Sequence, residues 1–366
     1  MRKLKYLFIG DAESVHLLKW VNEIMIYAEV YIISTRGLHP DLKGSIFENH
    51  CFLLNLDIKS TGGNSKILLQ LLRVNHIIGL IKPDIVNTHY VTSHGLLGAL
   101  IKKLFAKKYL LVSSAWGSDI MVTPQKNFLY RLLTKFVLNA SDVITSDARV
   151  MSAVIQKLSP VEVLTFSFGL QALPDYRAEE KEPELFFSNR TLSENYNIDK
   201  VIRLFQKLTA EYPSARLIIG NSGDREDQLR QLVANMGMEK KITFVGFMTY
   251  QDQTQYYRRS MFYFTLPTSD TTSVSLLEAM AWGCIPIVSD IPANHEWIED
   301  GVNGIIVSDS SFPVMEVEKK QNRIALYNRK IISERAIFPV SIKNYWNELL
   351  KRLQKNLTAA NTPTNV

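Results

Sequence analysis

Short apolar runs alternate with longer amphipathic segments along the whole chain, and the alternation restarts once, after a break rich in proline and charge. In the first half the runs are Lys5–Ile9, Val30–Ser34, Asp84–Thr88, Tyr109–Ser113, Asp142–Ser146 and Val161–Phe166. Segments of helical character, Ser14–Tyr27, Ser65–Ile81, Ser93–Lys107, Lys126–Asn139 and Ala148–Lys157, separate them. Runs rich in Val, Ile and aromatic residues without a polar face suit strands buried on both sides, as in a parallel sheet. After the linker Gln171–Glu184 the runs resume at Leu185–Asn189, Ala215–Gly220, Lys241–Val245, Met261–Leu266, Ile285–Ser289 and Gly304–Val307. Between and after them lie the helical segments Ile198–Tyr212, Arg225–Asn235, Tyr250–Arg259, Ser273–Trp282 and Val340–Leu357. This is a βαβ alphabet written twice. It predicts two Rossmann-like, doubly wound α/β domains facing across a cleft, one over residues 1–172 and one over 173–339. The polar tail from Thr358 is expected to fray.

At 366 residues, 46% hydrophobic and 21% charged, the chain has ordinary globular composition, which excludes extensive disorder. No apolar stretch approaches the ~18 residues of a membrane span. The apolar part of MRKLKYLFIGDAES is too short for a secretory signal, and the two cysteines, Cys51 and Cys284, form neither a disulfide framework nor a zinc site. A cytoplasmic compartment is expected. Residues 1–175 hold 19 Lys/Arg against 13 Asp/Glu, whereas residues 176–366 hold 23 of each, so the whole net charge of +6 lies in the first half. Such a half suits an anionic surface or ligand, or is simply a solvated basic face. Two segments there combine bulk and charge: Ala99–Lys108 and Lys126–Val137, the latter with Arg131 and Lys135 four apart on one helix face.

Ligands of open α/β sheets bind at the carboxyl ends of the strands. The loops to inspect are therefore Gly10–Ser14, with Asp11; Thr88–Tyr90, with His89; Ser113–Asp119, with Trp116; Asn189–Thr191; Gly220–Asp224; and Pro267–Ser273. The last is the most informative. Its small, hydroxyl-bearing residues open directly into the helical run VSLLEAMAWG, where bare N–H groups favour phosphate. Thr272 or Ser273 as an ordinary N-cap is the plainer alternative. Glu278 is nearly the sole polar group of that run, and a buried carboxylate costs several kcal/mol (order of magnitude) unless paired or hydrogen-bonded. Its partner is a structural arginine or ligand hydroxyls. Arg190, at a strand end, is placed to clamp a diphosphate. The chain has no G-x-G-x-x-G, P-loop, H-E-x-x-H, G-x-S-x-G or D-x-D motif, and its seven histidines lack ligand spacing, so neither a cofactor nor a metal is expected.

The run SDTTSVSLLEAMAWGCIPIVSDIPANHEWIEDGVNGIIV, Ser269–Val307, resembles the donor-site signature of glycosyltransferase family 4, E-x7-E followed by A-M-A-x-G, a strand, and E-x-I-x-D-G-x-N-G. Supporting matches are SNR around Arg190, Gly220–Gly223, ITFVGF over Ile242–Phe247, PDIVNTHY, WGSD, and the S-x-H of Ser14 and His16. Three departures stand out. Asp270 replaces the first Glu of the signature, Tyr196 stands near the family's usual Lys, and Trp116 replaces the His of H-G-S-D.

The resemblance implies a GT-B fold and a retaining, metal-independent transferase that moves a hexose-type sugar from a UDP- or GDP-linked donor to an acceptor hydroxyl. It implies donor contacts from Glu278, Thr271, Thr272, Ser273, Val274, Gly220, Gly223, Phe244 and Phe247, and catalytic roles for Asp270, Arg190, Asp119 and His89. The acceptor side would be Gly10, Asp11, Ser14, His16 and Trp116, and the helix 340–357 would return to the N-terminal domain. A glycan or lipid-linked acceptor in bacterial-type surface polysaccharide or glycolipid assembly is expected. So is docking on an anionic membrane, at the inner face of the cell membrane; no nucleic-acid partner is. A nucleotide-sugar 2-epimerase of the same fold and a non-catalytic sugar-binding protein are the alternatives.

Overall fold

The structure, a computed structural model, describes residues 2–44, 46–56, 65–307 and 319–361. From residue 362 on, the expected frayed tail lies outside the described residues. The chain divides into two compact units, Met1–Phe166 with Pro339–Val366, and Ser167–Phe338.

The first unit carries seven parallel strands, β1 (Lys5–Gly10), β2 (Glu29–Ser34), β3 (Cys51–Leu53), β4 (Ile85–His89), β5 (Leu110–Ser114), β6 (Val143–Ser146) and β7 (Val163–Thr165), in the order β3-β2-β1-β4-β5-β6-β7. Winding reverses between β1 and β4, so their carboxyl ends open the crevice where such sheets take ligands. Leu7, Val86, Leu111 and Ile144 of the sheet pack against Ile77 and Ile78 of helix Leu71–Ile81, Leu97 and Ile101 of His94–Leu104, and Val137 and Leu138 of Phe128–Ala140. Each such side chain removed from water is worth about 1.5–3 kcal/mol. The last helix, Phe338–Asn361, seals this unit. The hydroxyls of Tyr345 and Tyr6 lie 2.7 Å apart, Trp346 stacks on Tyr27 at 5.6 Å, and Arg352 pairs with Glu162 at 2.6 Å.

The second unit has six parallel strands, β8 (Glu182–Ser188), β9 (Arg216–Gly220), β10 (Ile242–Gly246), β11 (Ser260–Thr265), β12 (Ile285–Ser289) and β13 (Ile305–Val307), in the order β10-β9-β8-β11-β12-β13. Here the reversal falls between β8 and β11. Those two strands share a stacked pair, Phe186 on Phe262 at 4.6 Å, with Phe205 of helix Ile198–Leu208 edge-on at 5.4 Å. No helix among the described residues is long and apolar enough to cross a membrane.

Several elements differ from the sequence expectation, among them the short helices Ser118–Met121, Thr123–Lys126 and Pro292–His295. The short edge strand β3 was not expected, and β8 begins inside the expected linker. A fifteen-residue helix, Gln321–Arg335, also went unread. Its buried side carries Gln321 and Asn328 beside Ile324, Ala325 and Ile332, which breaks the apolar stripe a helix usually shows. Asn328 is satisfied there, its Oδ1 accepting from Asn303 Nδ2 at 2.8 Å and its Nδ2 donating to Asn303 O at 2.9 Å.

Candidate functional site

The crevice of the second unit is built by the segments that follow β8 and β11. Arg190 leaves the end of β8 and is largely enclosed. Its Nη2 donates to Asp270 Oδ2 at 2.8 Å, and its Nη1 donates to Ser275 Oγ at 2.9 Å and to Ser273 Oγ. Burial opposes its charge, but Asp270, then Tyr263 and Tyr196, hold the guanidinium above its ordinary pKa. Ser273 caps helix Val274–Ala281, its Oγ accepting from Leu276 N at 3.3 Å. The N-cap alternative and the site reading thus meet in one hydroxyl. Val274 and Ser275 begin the helix, so their N–H groups have no intrahelical acceptor and form its positive end. Thr272 is buried beside them, and the Thr271 N–H is held by Asp270 Oδ1 at 2.9 Å.

Glu278 sits one turn further along, buried. Its neighbours are tyrosines: the Tyr257 hydroxyl donates to Ser275 O at 3.2 Å, and Tyr257 is held well above its ordinary pKa by burial, then by Tyr263 and Glu278. Asn189 joins this group, its Nδ2 donating to Tyr257 Oη at 2.8 Å and its Oδ1 accepting from Tyr263 Oη at 2.7 Å. A polar layer of Asn189, Tyr257, Tyr263 and Glu278 therefore underlies the Arg190 crevice. Of these four, Glu278 and Asn189 are the ones the sequence points to. Asn189 was visible in the SNR run, whereas the tyrosines come from β11 and helix Tyr250–Arg259 and carried no local signal.

Gly223 has a packing reason to be glycine: a Cβ there would run into the Leu192 carbonyl, whereas one on Gly220 would meet only the flexible end of Met248. The loop they bracket seats the segment after Arg190, with Leu192 N donating to Ser222 O at 3.1 Å. Phe244 packs on the core with the Arg230 guanidinium 4.7 Å over its ring, while Phe247 is exposed beyond the end of β10. The closing D-G-x-N-G is a folded turn: Asn303 Oδ1 accepts from Glu299 N at 2.7 Å, Asp300 Oδ1 from Ile306 N at 2.8 Å, and Gly301 has φ +69°.

At the crevice of the first unit, Gly10 ends β1, where a Cβ would lie 3.3 Å from His89 Cβ. Asp11 pairs with Arg36 at 3.5 Å, and Ser14 caps helix Val15–Ile24, its Oγ accepting from His16 N at 3.2 Å. The Trp116 ring lies 5.2 Å from both His16 and His89. The Asp119 carboxylate accepts from Val91 N at 2.7 Å and Trp116 N at 3.0 Å, tying the loops after β4 and β5 together. Burial raises its pKa against the pull of those donors. His89 is 3% exposed and packed between Phe8, Trp20 and Trp116; burial, then His94 and His16, keep it neutral. Both residues hold the Trp116 platform. Among the described residues no three His, Cys, Asp or Glu side chains form a metal-holding group.

Comparison with known proteins matches residues 172–323 to the family described as glycosyl transferases group 1, and residues 5–148 to glycosyl transferase 4-like. The chain is 29% identical over 152 residues to the UDP-N-acetylglucosamine–peptide N-acetylglucosaminyltransferase GtfA subunit of Streptococcus pneumoniae, covering 41% of this chain and 29% of that one. It thus spans less than a third of that relative. It is 21% identical over 272 residues to the N-acetyl-alpha-D-glucosaminyl L-malate synthase of Bacillus anthracis, covering 69% and 70% of the two. The crystal structure of Anabaena Alr3699/HepE in complex with UDP superposes with a TM-score of 0.74 at 15% identity, over 95% of this chain and 100% of that one.

Proposed function

The chain belongs to the family-4-like glycosyltransferases of GT-B fold, and from that premise we propose that it moves a hexose-type sugar from a nucleotide diphosphate to an acceptor hydroxyl, with retention and without a metal. One observation carries the reading. At the reversal point of the second sheet, Arg190 is fixed beside the N-terminus of helix Val274–Ala281, with the carboxylate of Asp270 paired to it. In this reading Arg190 and the N–H groups of Val274 and Ser275 grip the diphosphate, and Glu278 holds ribose hydroxyls from its tyrosine-lined seat. The base lies by Val245–Phe247. UDP is the favoured nucleotide because HepE was solved with UDP and the pneumococcal relative's name gives UDP-N-acetylglucosamine.

As the bond from the anomeric carbon to the phosphate oxygen breaks, the leaving diphosphate gains charge. Arg190 and the helix N-terminus are already aimed there, and removing one such preorganised donor typically costs about 10²–10³ in kcat. The acceptor oxygen attacks the same face of the sugar, and its proton passes to a leaving phosphate oxygen, so no protein base is consumed. Asp270, freed from Arg190 by the diphosphate, faces the donor sugar. The first unit takes the acceptor at Gly10, Asp11, Ser14, His16 and Trp116. We read that acceptor as membrane-held, in surface polysaccharide or glycolipid assembly, with the protein peripheral on the cytoplasmic face. The helix Phe128–Ala140 supports this by leaving Phe128, Leu129 and Leu132 exposed among Lys126, Arg131 and Lys135.

A panel of UDP-, GDP- and other nucleotide sugars tests the reading by thermal shift, since a ligand that binds only the native state raises Tm. One nucleotide class is expected to stabilise the protein, and the product anomer read by NMR to match the donor's. Indifference to the whole panel overturns the reading.

A further inference from the structure

We propose that Tyr196 is a positioning residue for the donor diphosphate, acting by stacking on the Arg190 guanidinium; this rests on the reading above. The guanidinium carbon lies 4.2 Å from the ring centroid of Tyr196. The contacts of Arg190 to Asp270, Ser273 and Ser275 run from its two terminal nitrogens and fix the edge of the group. They resist tilting of its plane poorly, and stacking on one face supplies that restraint. Once a diphosphate displaces Asp270 from Nη2, the stack and the Nη1 contacts to Ser273 and Ser275 remain, and of these only the stack restrains the plane.

Tyr196 is itself held unusually well for a loop residue. It ends a short turn, Glu194–Tyr196, and is followed by Asn197 with φ 48°. Five hydrogen bonds strap this turn to the segment after β11. Asn195 O accepts from Thr268 N at 2.7 Å and Asn195 Oδ1 from Ser269 N at 3.2 Å, while Asn195 Nδ2 donates to Ser269 O at 3.0 Å. Asn197 Nδ2 donates to Leu266 O at 2.8 Å and to Thr268 Oγ1 at 2.9 Å. The loop bearing the stacking ring is thus tied to the loop bearing Asp270 and the helix cap. The side chain so placed is aromatic and uncharged, so it orients the cation without competing for the phosphates.

The test measures the Kd of UDP, or of GDP should UDP not bind, together with kcat, KM for donor and acceptor, and Tm. The variants are Tyr196→Phe, Tyr196→Leu and Arg190→Ala. Tyr196→Leu keeps apolar bulk against the core, so Tm should hold while nucleotide Kd and donor KM rise about tenfold and acceptor KM stays put. Tyr196→Phe should stay within about twofold of wild type, since the ring remains. Tyr196→Met replaces the leucine variant if that fails to fold. Unchanged nucleotide affinity in the leucine or methionine variant overturns the proposal, as does equal weakening in Tyr196→Phe, which would assign the effect to the hydroxyl. If Arg190→Ala weakens nucleotide binding and Tyr196→Leu does not, this inference alone falls. If neither nucleotide binds the wild type, or Arg190→Ala binds normally, the reading of the site falls with it.

Discussion

Arg190 Nη2 lies 2.8 Å from Asp270 Oδ2, joining the segments after β8 and β11, the two strands between which the second sheet reverses its winding. The pair is enclosed, so neither partner is lost cheaply; removing one side of a buried ion pair costs about 3–5 kcal/mol. Arg190→Ala is expected to lose nucleotide binding and at least about 100-fold in turnover, with the circular dichroism spectrum retained. Asp270→Asn separates the roles: it releases Arg190, so nucleotide affinity holds or rises while kcat collapses. Calorimetry with steady-state kinetics checks both, and near-wild-type turnover in either variant rejects the assignment.

Glu278→Ala is expected to abolish transfer with the fold retained. The carboxylate is buried beside Tyr257, whose hydroxyl keeps its bonds to Ser275 O and Asn189 Nδ2 when Glu278 is removed. Glu278→Gln removes the charge at nearly constant shape. A ribose-binding role predicts that the glutamine variant stays as stable as wild type yet binds nucleotide more weakly. A purely structural role predicts full activity in that variant.

Much of the fold was legible because a parallel sheet buried on both faces writes itself as apolar runs, and Phe186, Phe262 and Ile287 are read without ambiguity. Helix Gln321–Arg335 was not, since its inward Gln321 and Asn328 are paid for by hydrogen bonds to Tyr176 and Asn303, which no local pattern reveals. At the site, Arg190, Asp270, Ser273 and Glu278 stood out as polar residues at strand ends or on an apolar helix. Their partners did not: Ser275 and Tyr257 gain meaning only when β8, β11 and helix Val274–Ala281 meet. The backbone partners of Asp119, Val91 and Trp116, lie in two different loops and likewise leave no trace in the local sequence.

Transfer is expected to survive excess EDTA. The charge of the leaving diphosphate is assigned to Arg190 and the helix N-terminus rather than to a hard cation, which would need oxygen ligands from several carboxylates or carbonyls. Loss of activity on chelation with recovery on added magnesium or manganese would sink this electrostatic assignment.

His94 makes the stability of the first unit pH-dependent. Burial lowers its pKa from 6.5 to about 4, with its Nε2 3.3 Å from Thr35 Oγ1. Its folded-state pKa is depressed, so the unfolded chain binds the extra proton first. The stabilisation is complete above pH 6.5 and is lost as pH falls toward 4. By linkage this amounts to about 3 kcal/mol. Denaturant melts across that window should show the decline, and His94→Gln should flatten it. An unchanged slope in the variant would assign the dependence to other groups.

The first unit is expected to bind anionic membranes through helix Phe128–Ala140. Phe128 is 74% exposed, Leu129 63% and Leu132 46%, while Phe136 packs against the core. Arg131 and Lys135 share the exposed face with Phe128 and Leu132. The other basic segment contributes less, because Ile101 is buried and Lys102 pairs with Asp142, leaving Lys103, Lys108 and Leu104 at the surface. Each basic residue near an anionic surface is worth about 1 kcal/mol, so four to six give reversible docking that salt weakens. Vesicles rich in phosphatidylglycerol should sediment the protein at low salt and release it at high salt, and neutral vesicles should not bind it. Phe128→Ser with Leu132→Ser should abolish sedimentation without lowering Tm, because neither side chain contributes to the core. Equal, negligible binding to both vesicle types would leave a soluble acceptor as the better reading of the first unit.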